Sequence, residues 1–400
     1  MLEATTPSSK VAMGVVPVRP VPALDGAPGQ TAADMEIKRG ACSALFAYDL
    51  GFAIDLKKAQ ELLALAPAGS QRETLKHTRR APKYFEVQPP PLRVTRAGSP
   101  VSVGKFTSSP VLEALIYDFG SMSISFTIPI DGPAKDLLPL SNGLYENAAL
   151  LAESRRLVEA LVAELRPAIT KPDVAHFVED YLVFHIDEWS LPAGVAGLND
   201  WIASSRPMLA KILRSDTEPL SPQEVEDALS CRISYAQDDA AMIDWNAAIV
   251  VGKEMQDVRA VLEFANVELL EMRFLDDQLD TALAEAFEST QRGERNVFAS
   301  TASDMRRIAR LQMDSAILFE GVNNALKLLG DQYLARVYRL AAGRMHLPSW
   351  DASIIRKLGT LESIYDKIAD RQSGRRMEVL EWIIILLITF EVVMSFVRWH

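Results

Sequence analysis

The stretch VLEALIYDFGSMSISFTIPI, from Val111 to Ile130, decides the fold class of this chain. Runs rich in apolar and β-branched residues lie on both sides of Phe119–Gly120–Ser121. A glycine between two such runs is typical of a β-hairpin or a bulge. The stretch therefore predicts two neighbouring strands of a sheet.

A helix and a further strand are predicted on each side of this hairpin. Upstream, Cys42–Leu50 is strand-like, and Asp55–Leu65 has apolar residues at helical spacing behind an Asp N-cap. Downstream, Glu146–Leu165 predicts an amphipathic helix and Ala175–Trp189 alternates as a strand does. The order β-α-β-β-α-β is the split βαβ pattern of a ferredoxin-like domain. The β-like runs of Arg232–Val251 would add a hairpin to its sheet.

Three long helical blocks follow, with apolar residues at steps of three and four. Such a seam predicts helices that pack on each other, or on copies of themselves, as a coiled coil. The seam residues singled out are Leu269, Met272, Asp276, Leu279, Leu318 and Val322. Asp276 is either a partnered polar residue that sets the register or a carboxylate that faces magnesium. Register-setting is favoured because Arg273 is nearby.

The C-terminal segment Leu380–Trp399 predicts a membrane helix. Its length of about 20 residues matches a hydrocarbon core of about 30 Å. Its apolar side chains contribute about −3 to −7 kcal/mol to insertion, and Glu391 opposes this by about 2.5–3.5 kcal/mol. Glu381 and Trp382 lie at one end and Trp399 at the other, where interfacial Trp is favoured. The alternative is a hydrophobic helix buried in a soluble oligomer.

Glu391 is the acidic residue inside this segment, and two roles are open to it. It either forms a hydrogen bond across a helix–helix contact, or it takes part in conduction or proton transfer. Leu387 and Ser395 lie on the same helical face. The absence of a second charged residue nearby favours the assembly role.

Three segments resemble the DUF155 family, also called the RMD1 family. Arg375–Val393, RRMEVLEWIIILLITFEVV, resembles that family's terminal signature. Leu269–Asp280 resembles the helix that precedes its terminal helices, and Glu113–Ile128 resembles its hairpin. The resemblance implies a membrane protein of uncertain molecular activity, from a bacterial branch of the family. Mitochondrial members are associated with supporting organellar translation.

Composition and motifs exclude several classes of function. A net charge of −11 argues against nucleic acid as the main partner, because phosphate contacts need a basic surface. Cys42 and Cys231, the two cysteines, lie far apart and predict neither a disulfide framework nor a zinc site. No catalytic, metal or cofactor-binding signature is present. We therefore expect no enzyme, no cofactor and no metal.

These patterns predict four parts: a disordered leader (1–36), an α/β domain (37–252), a coiled-coil stalk (253–376) and a transmembrane helix (377–400). The large domain is expected on the cytoplasmic side of the cell inner membrane, because more basic residues precede the tail than follow it. The predicted function is a membrane-anchored scaffold or regulator. It would form a homo-oligomer through stalk and tail, with the lipid bilayer as a partner and any protein partner unidentified. The alternative is a CorA-like ion transporter, although the chain lacks a GMN motif and has one apolar segment.

Overall fold

A computed structural model of the protein describes residues 34–64, 70–72, 89–253, 255–291, 311–313 and 332–398. The strands, in chain order, are β1 (Glu36–Asp49), β2 (Ala53–Ile54), β3 (Ser70–Arg72), β4 (Leu92–Ala97), β5 (Ser102–Val103), β6 (Phe106–Thr107), β7 (Val111–Ile116), β8 (Ser121–Pro133), β9 (Ile169–Thr170), β10 (Glu179–Ser190), β11 (Arg232–Ile233), β12 (Ala240–Ile243) and β13 (Ala247–Val251). The main helices are α1 (Leu56–Ala64), α2 (Leu137–Leu144), α3 (Ala148–Leu165), α4 (Leu198–Ser204), α5 (Arg206–Arg214), α6 (Pro222–Ala228), α7 (Gln256–Gln291), α8 (Gln332–Arg344) and α9 (Leu347–Arg398).

Nine of the described strands form one sheet, in the order β11-β12-β13-β10-β1-β8-β7-β4-β3. The long strand β1 lies at its centre and pairs antiparallel with β10 and β8. The sheet is mixed, because β13 pairs parallel to β10. The hairpin between β7 and β8 turns through Gly120, whose φ of 104° suits glycine. A Cβ at Gly120 would lie 1.9 Å from the carbonyl oxygen of Gly51, so the turn also requires glycine for space.

The sheet carries helices on both faces. Successive residues of a strand point to opposite faces, so Phe46 of β1 joins one core and Leu45 joins the other. Helices α1 to α6 cover the first face, with Leu161 of α3 and Trp201 of α4 fully buried there. Helices α7, α8 and α9 form the second layer, and Leu262 of α7 is buried in its core.

The predicted fold class, a ferredoxin-like domain followed by a coiled-coil stalk and a transmembrane helix, is wrong. The predicted strands are present as β1, β7, β8 and β10, and the predicted helices as α1 and α3. However, the sheet has nine strands, includes a parallel pair and lies between two helical layers. Strands as short as β3 and β11 contain too few residues for an alternating pattern to reveal them.

The predicted C-terminal transmembrane helix over 377–400 is also wrong. Within the described stretches, no helix combines the length and the apolar character that crossing a membrane requires. The unbroken apolar run extends only from Trp382 to Ile388, between Glu381 and Thr389. As a helix this run is about 10 Å long, against a hydrocarbon core of about 30 Å. The predicted tail anchor and the predicted single-pass location in the inner membrane are therefore wrong as well.

Two of the predicted domain limits can be compared with the described elements. Strand β1 begins at Glu36, inside the predicted leader, and residues 1–33 lie outside the described residues. The expected limit at residue 252 falls between β13 and α7. Helix α7 then packs back on β1, β8 and β10. The start of the predicted stalk therefore belongs to the second helical layer.

Candidate functional site

Helix α9 carries an exposed apolar surface on its C-terminal part. The helix is 52 residues long. Its side chains from Trp382 to Ile388, here called the apolar segment, are each between 48% and 66% exposed. Consecutive residues of a helix point about 100° apart, so seven of them cover every side. A helix that is apolar on all sides is normally covered on all sides.

The N-terminal part of α9 is held on α7. Leu347, Ile354 and Leu361 follow one another at intervals of seven residues, and each is at most 2% exposed. They share a hydrophobic core with Met272 and Leu279 of α7. This spacing is that of a coiled-coil seam. The base of α9 is therefore docked by apolar packing, whereas the apolar segment is not.

An ion-pair clamp joins the same two helices. The Nζ atom of Lys357 on α9 lies 2.8 Å from Asp276 and 2.6 Å from Asp280 on α7. The two carboxylates are four residues apart and so face the same side of α7. Burial alone would lower the pKa of Lys357, but its hydrogen bonds to both carboxylates outweigh this effect and raise the pKa. The clamp fixes the register of α9 along α7.

A second ionic cluster, here called the latch, joins α8 to the first helical layer. Asp244, in the turn between β12 and β13, is fully buried and binds both Arg344 of α8 and Arg214 of α5. Both arginines also reach Asp227 of α6, with Arg344 Nη2 at 2.6 Å. The hydrogen bond from Arg344 is the main reason that the pKa of Asp227 falls to about 2. The latch thus ties together elements from both sides of the sheet.

The side of α7 that faces the sheet carries polar contacts beside apolar residues such as Val267 and Leu270. Ser121 and Ser123 of β8 are fully buried. Ser121 Oγ donates to Glu271, and Ser123 Oγ donates to Glu263 at 2.6 Å. Arg259 lies 3.3 Å from Glu263 on the same helix. Because a buried carboxylate is costly without partners, these contacts select one position of α7 on the sheet.

Two buried carboxyl groups, one on α7 and one facing it from β10, have strongly altered acidity. Burial raises the pKa of Glu179 on β10 to about 7, although Arg273 of α7 opposes the shift. Burial likewise raises the pKa of Glu268 to about 7, although the hydroxyl of Tyr338 donates to it. Groups that titrate near neutrality are candidates for a functional role. Among the described residues, no group of three or more His, Cys, Asp or Glu side chains could hold a metal ion.

The described residues among those predicted from the sequence lie at separate positions on α7 and α9. On α7, Met272 and Leu279 are buried, Leu269 is partly buried and Asp276 is paired with Lys357. Arg273, expected beside Asp276, binds Glu179 instead. On α9, Glu381 and Trp382 are exposed, and Glu391 and Ser395 belong to the helix. Leu318, Val322 and Trp399 lie outside the described residues.

Several functional contacts were missed from the sequence. Lys357 flanks the seam residues Ile354, Leu358 and Leu361, and a charge in that position commonly pairs with the facing helix. That signal was available and could have identified the clamp. The latch had no such signal, because Arg344 and its partner Asp244 are 100 positions apart.

Residues 39–257 match the family described as "Uncharacterized protein MJ0711, N-terminal domain". This match covers more than half of the chain, from β1 to the first turn of α7, and the chain belongs to this family. It is also similar to Uncharacterized protein MJ0711 of Methanocaldococcus jannaschii. The two are 24% identical over 251 residues, which cover 62% of this chain and 75% of the relative. No solved structure matches the chain.

Proposed function

We propose that this member of the MJ0711 N-terminal domain family is a scaffold or regulatory protein that assembles with copies of itself through helix α9. The observation that carries the proposal is the exposed apolar segment, Trp382–Ile388. Its exposed side chains amount to an area on the order of 600 Å². The largest apolar patch on a typical monomer is about 300–600 Å², and a standard interface buries about 800 Å² per partner. The segment therefore has the size of an interface.

The energy of covering the segment favours more than two copies. At about 25 cal/mol per Å², covering half of this area contributes about 7 kcal/mol per chain, and covering all of it about 15 kcal/mol. Association costs about 4–15 kcal/mol in lost motion. In a dimer each segment is covered on one side only, and the two chains together gain about 15 kcal/mol, which equals the upper end of that cost. A bundle of several α9 helices covers more of each segment and forms the stable assembly.

The contacts at the base of α9 suit a scaffold. Residues Leu347 to Tyr365 are fixed on α7 by apolar packing and by the Lys357 clamp. Each copy would therefore present its apolar segment from a defined place on the α/β body. We assign no catalytic activity, because the buried charged groups described above are used in contacts that hold the layers together.

We also propose that the chain is related to the DUF155 or RMD1 proteins, as a bacterial branch. Three segments support this relationship: Glu113–Ile128 at the β7–β8 hairpin, Leu269–Asp280 on α7 and Arg375–Val393 on α9. They are distributed over the sheet and the second helical layer.

The test is the mass of the purified full-length chain in solution, measured by sedimentation velocity over a range of concentrations. We expect an oligomer in the parent and a shift toward monomer in Ile384→Glu, because a charge would be buried in the bundle. Ile355→Glu is the matched control. Ile355 lies on the same helix and is 58% exposed, close to the 52% of Ile384.

Any one of the following results would contradict the proposal. The parent could be monomeric at every concentration, the Ile384→Glu variant could assemble as the parent does, or Ile355→Glu could dissociate the oligomer equally. Binding of a monomeric parent chain to liposomes would overturn the proposal in the same way.

A further inference from the structure

The junction of α7, α8 and α9 encloses two carboxyl groups that the proposed function does not use. Glu268 of α7 is 2% exposed and accepts a hydrogen bond from the hydroxyl of Tyr338 on α8. Asp351, near the start of α9, acts on Glu268 through its charge. Its Oδ1 atom is enclosed and has no hydrogen-bond partner among the described residues. The junction thus holds two acids and one identified donor.

The cations near this junction are committed elsewhere. Arg273 of α7 binds Glu179, the carboxylate that β10 presents toward α7. Lys357 of α9 is held by Asp276 and Asp280.

The remaining polar groups around the junction do not supply a charge to it. On α8, the side chains of Arg336 and Arg339 are exposed. The serines Ser121 and Ser123 of β8 donate to Glu271 and Glu263. Among the described residues, the charges and hydrogen bonds that act on Glu268 come from Tyr338 and Asp351. A buried carboxylate and a partly buried one repel each other when no cation lies between them, and a proton on one of them removes the repulsion and supplies a donor.

We propose that this junction is a proton-sensitive joint: α8 and α9 dock on α7 while Glu268 holds a proton, and loss of that proton loosens the docking. Burial, and after it the charge of Asp351, raises the pKa of Glu268 from 4.5 to about 7, so the proton is lost near neutrality. The joint would change how tightly the base of α9 docks on α7 when the pH changes near neutrality. It does not depend on self-association, because its residues lie outside the apolar segment.

The direction of the pH effect follows from linkage. Between pH 4.5 and pH 7 the folded chain holds a proton that the unfolded chain has released. The contribution of Glu268 is therefore most favourable below pH 4.5, falls as the pH rises to about 7 and is level above that. For these two pKa values, the folding equilibrium constant should fall about 30-fold between pH 5.5 and pH 8 because of this group.

The experiment compares urea unfolding of the full-length parent and of Glu268→Gln at pH 5.5 and pH 8, at one protein concentration. Glutamine still accepts the hydrogen bond from Tyr338 but carries no charge at either pH. Between these two pH values, the folding equilibrium constant of the parent should fall by a factor about 30 times larger than that of the variant. Asp276→Asn is the matched control. It removes a carboxylate from the same helix pair, but one that Lys357 neutralises, so its pH response should follow that of the parent.

A second variant keeps the proposal testable if Glu268→Gln does not fold. Asp351→Asn removes the other acid, which is partly buried near the start of α9, and it should reduce the pH-dependent loss relative to the parent. Hydrogen exchange of residues 332–365, corrected for intrinsic rates, should show faster opening of α8 and α9 at pH 8 in the parent. Equal pH responses in the parent and in either variant, or equal opening at both pH values, would overturn the proposal.

Discussion

Removing the carboxylate of Asp244 should destabilise the protein strongly, because two arginines would lose their buried partner. Asp244 is fully buried, and it accepts hydrogen bonds from Arg214 Nε at 3.1 Å and from Arg344 Nε. Loss of one member of a buried ion pair typically costs about 3–5 kcal/mol. We expect Asp244→Asn to lower the free energy of unfolding by about that amount.

Asp227 supplies the comparison within the same latch. Its pKa of about 2, against 3.8 for the free group, would correspond at face value to about 2.4 kcal/mol. Its side chain is 52% exposed, however, and solvent screening reduces the contribution of exposed pairs to about 1 kcal/mol or less. Asp227→Asn should therefore cost much less than Asp244→Asn, although both residues bind the same two arginines.

Urea unfolding of both variants at pH 7 measures this difference, with and without 0.5 M NaCl. Salt should weaken the Asp227 contribution more than that of Asp244, because buried pairs are screened less. A cost below about 1 kcal/mol for Asp244→Asn, or equal costs for the two variants, would show that the strength of the latch does not depend on burial.

Three further predictions test the fold and its ion pairs. Ile354→Ala should cost about 2–5 kcal/mol in urea unfolding and Ile355→Ala under about 0.5, because Ile354 is fully buried whereas Ile355 is 58% exposed; equal costs would contradict the docking of α9 on α7. Gly120→Ala should lower the melting temperature by several degrees, since the added Cβ would meet the Gly51 carbonyl at 1.9 Å; an unchanged melting temperature would refute the turn geometry. The stabilisation that Asp227 contributes should be present above pH 3.8 and be lost as the pH falls toward about 2. Acid unfolding of Asp227→Asn and of the parent measures it, and equal acid stability of the two proteins would contradict the lowered pKa of Asp227.

Local patterns in the sequence were sufficient for helices α1 and α3 of the first layer and for the strands at the centre of the sheet. The β7–β8 hairpin and helix α3 have strong periodicities of two and of three to four residues. The hairpin expected within Arg232–Val251 is present as β12 and β13. The parallel pairing of β13 with β10 carries no local signal, because it joins strands about 65 positions apart. The fold class was therefore wrong even where its elements were right.

The C-terminal membrane helix was predicted wrongly for a different reason. The energy of insertion summed over Leu380–Trp399 includes Glu391 as its one opposing contribution. In the described helix the unbroken run is Trp382–Ile388, and the polar residues on either side limit its apolar length. A sum over a window hides such interruptions, whereas the length of the longest run reveals them.

The partner of Asp276 shows why a binding residue is harder to predict than a buried one. Arg273 lies three residues away on the same helix, and a pair at that spacing is worth only a few tenths of a kcal/mol. Glu179 is buried on β10, so its need for a cation is much greater, and Arg273 is drawn to it. Asp276 is then free to accept Lys357 from a helix about 80 positions away. Burial of the competing carboxylate decides the pairing, and burial is a property of the assembled layers.

The distribution of polar and apolar contacts around α7 gives the second layer two separate functions. Toward α8 and α9, α7 presents buried apolar residues such as Met272 and Leu279, and this packing supplies the stability of the layer. Toward the sheet, it presents Glu263 and Glu271 to buried serines, beside the apolar residues Val267 and Leu270. Buried polar pairs add little net stability but strongly disfavour any shifted position. Helix α7 is thus fixed in register on the sheet, and α8 and α9 are held by packing that the charge state of Glu268 can oppose. The element that carries the apolar segment is consequently joined to the body by the contacts most open to change.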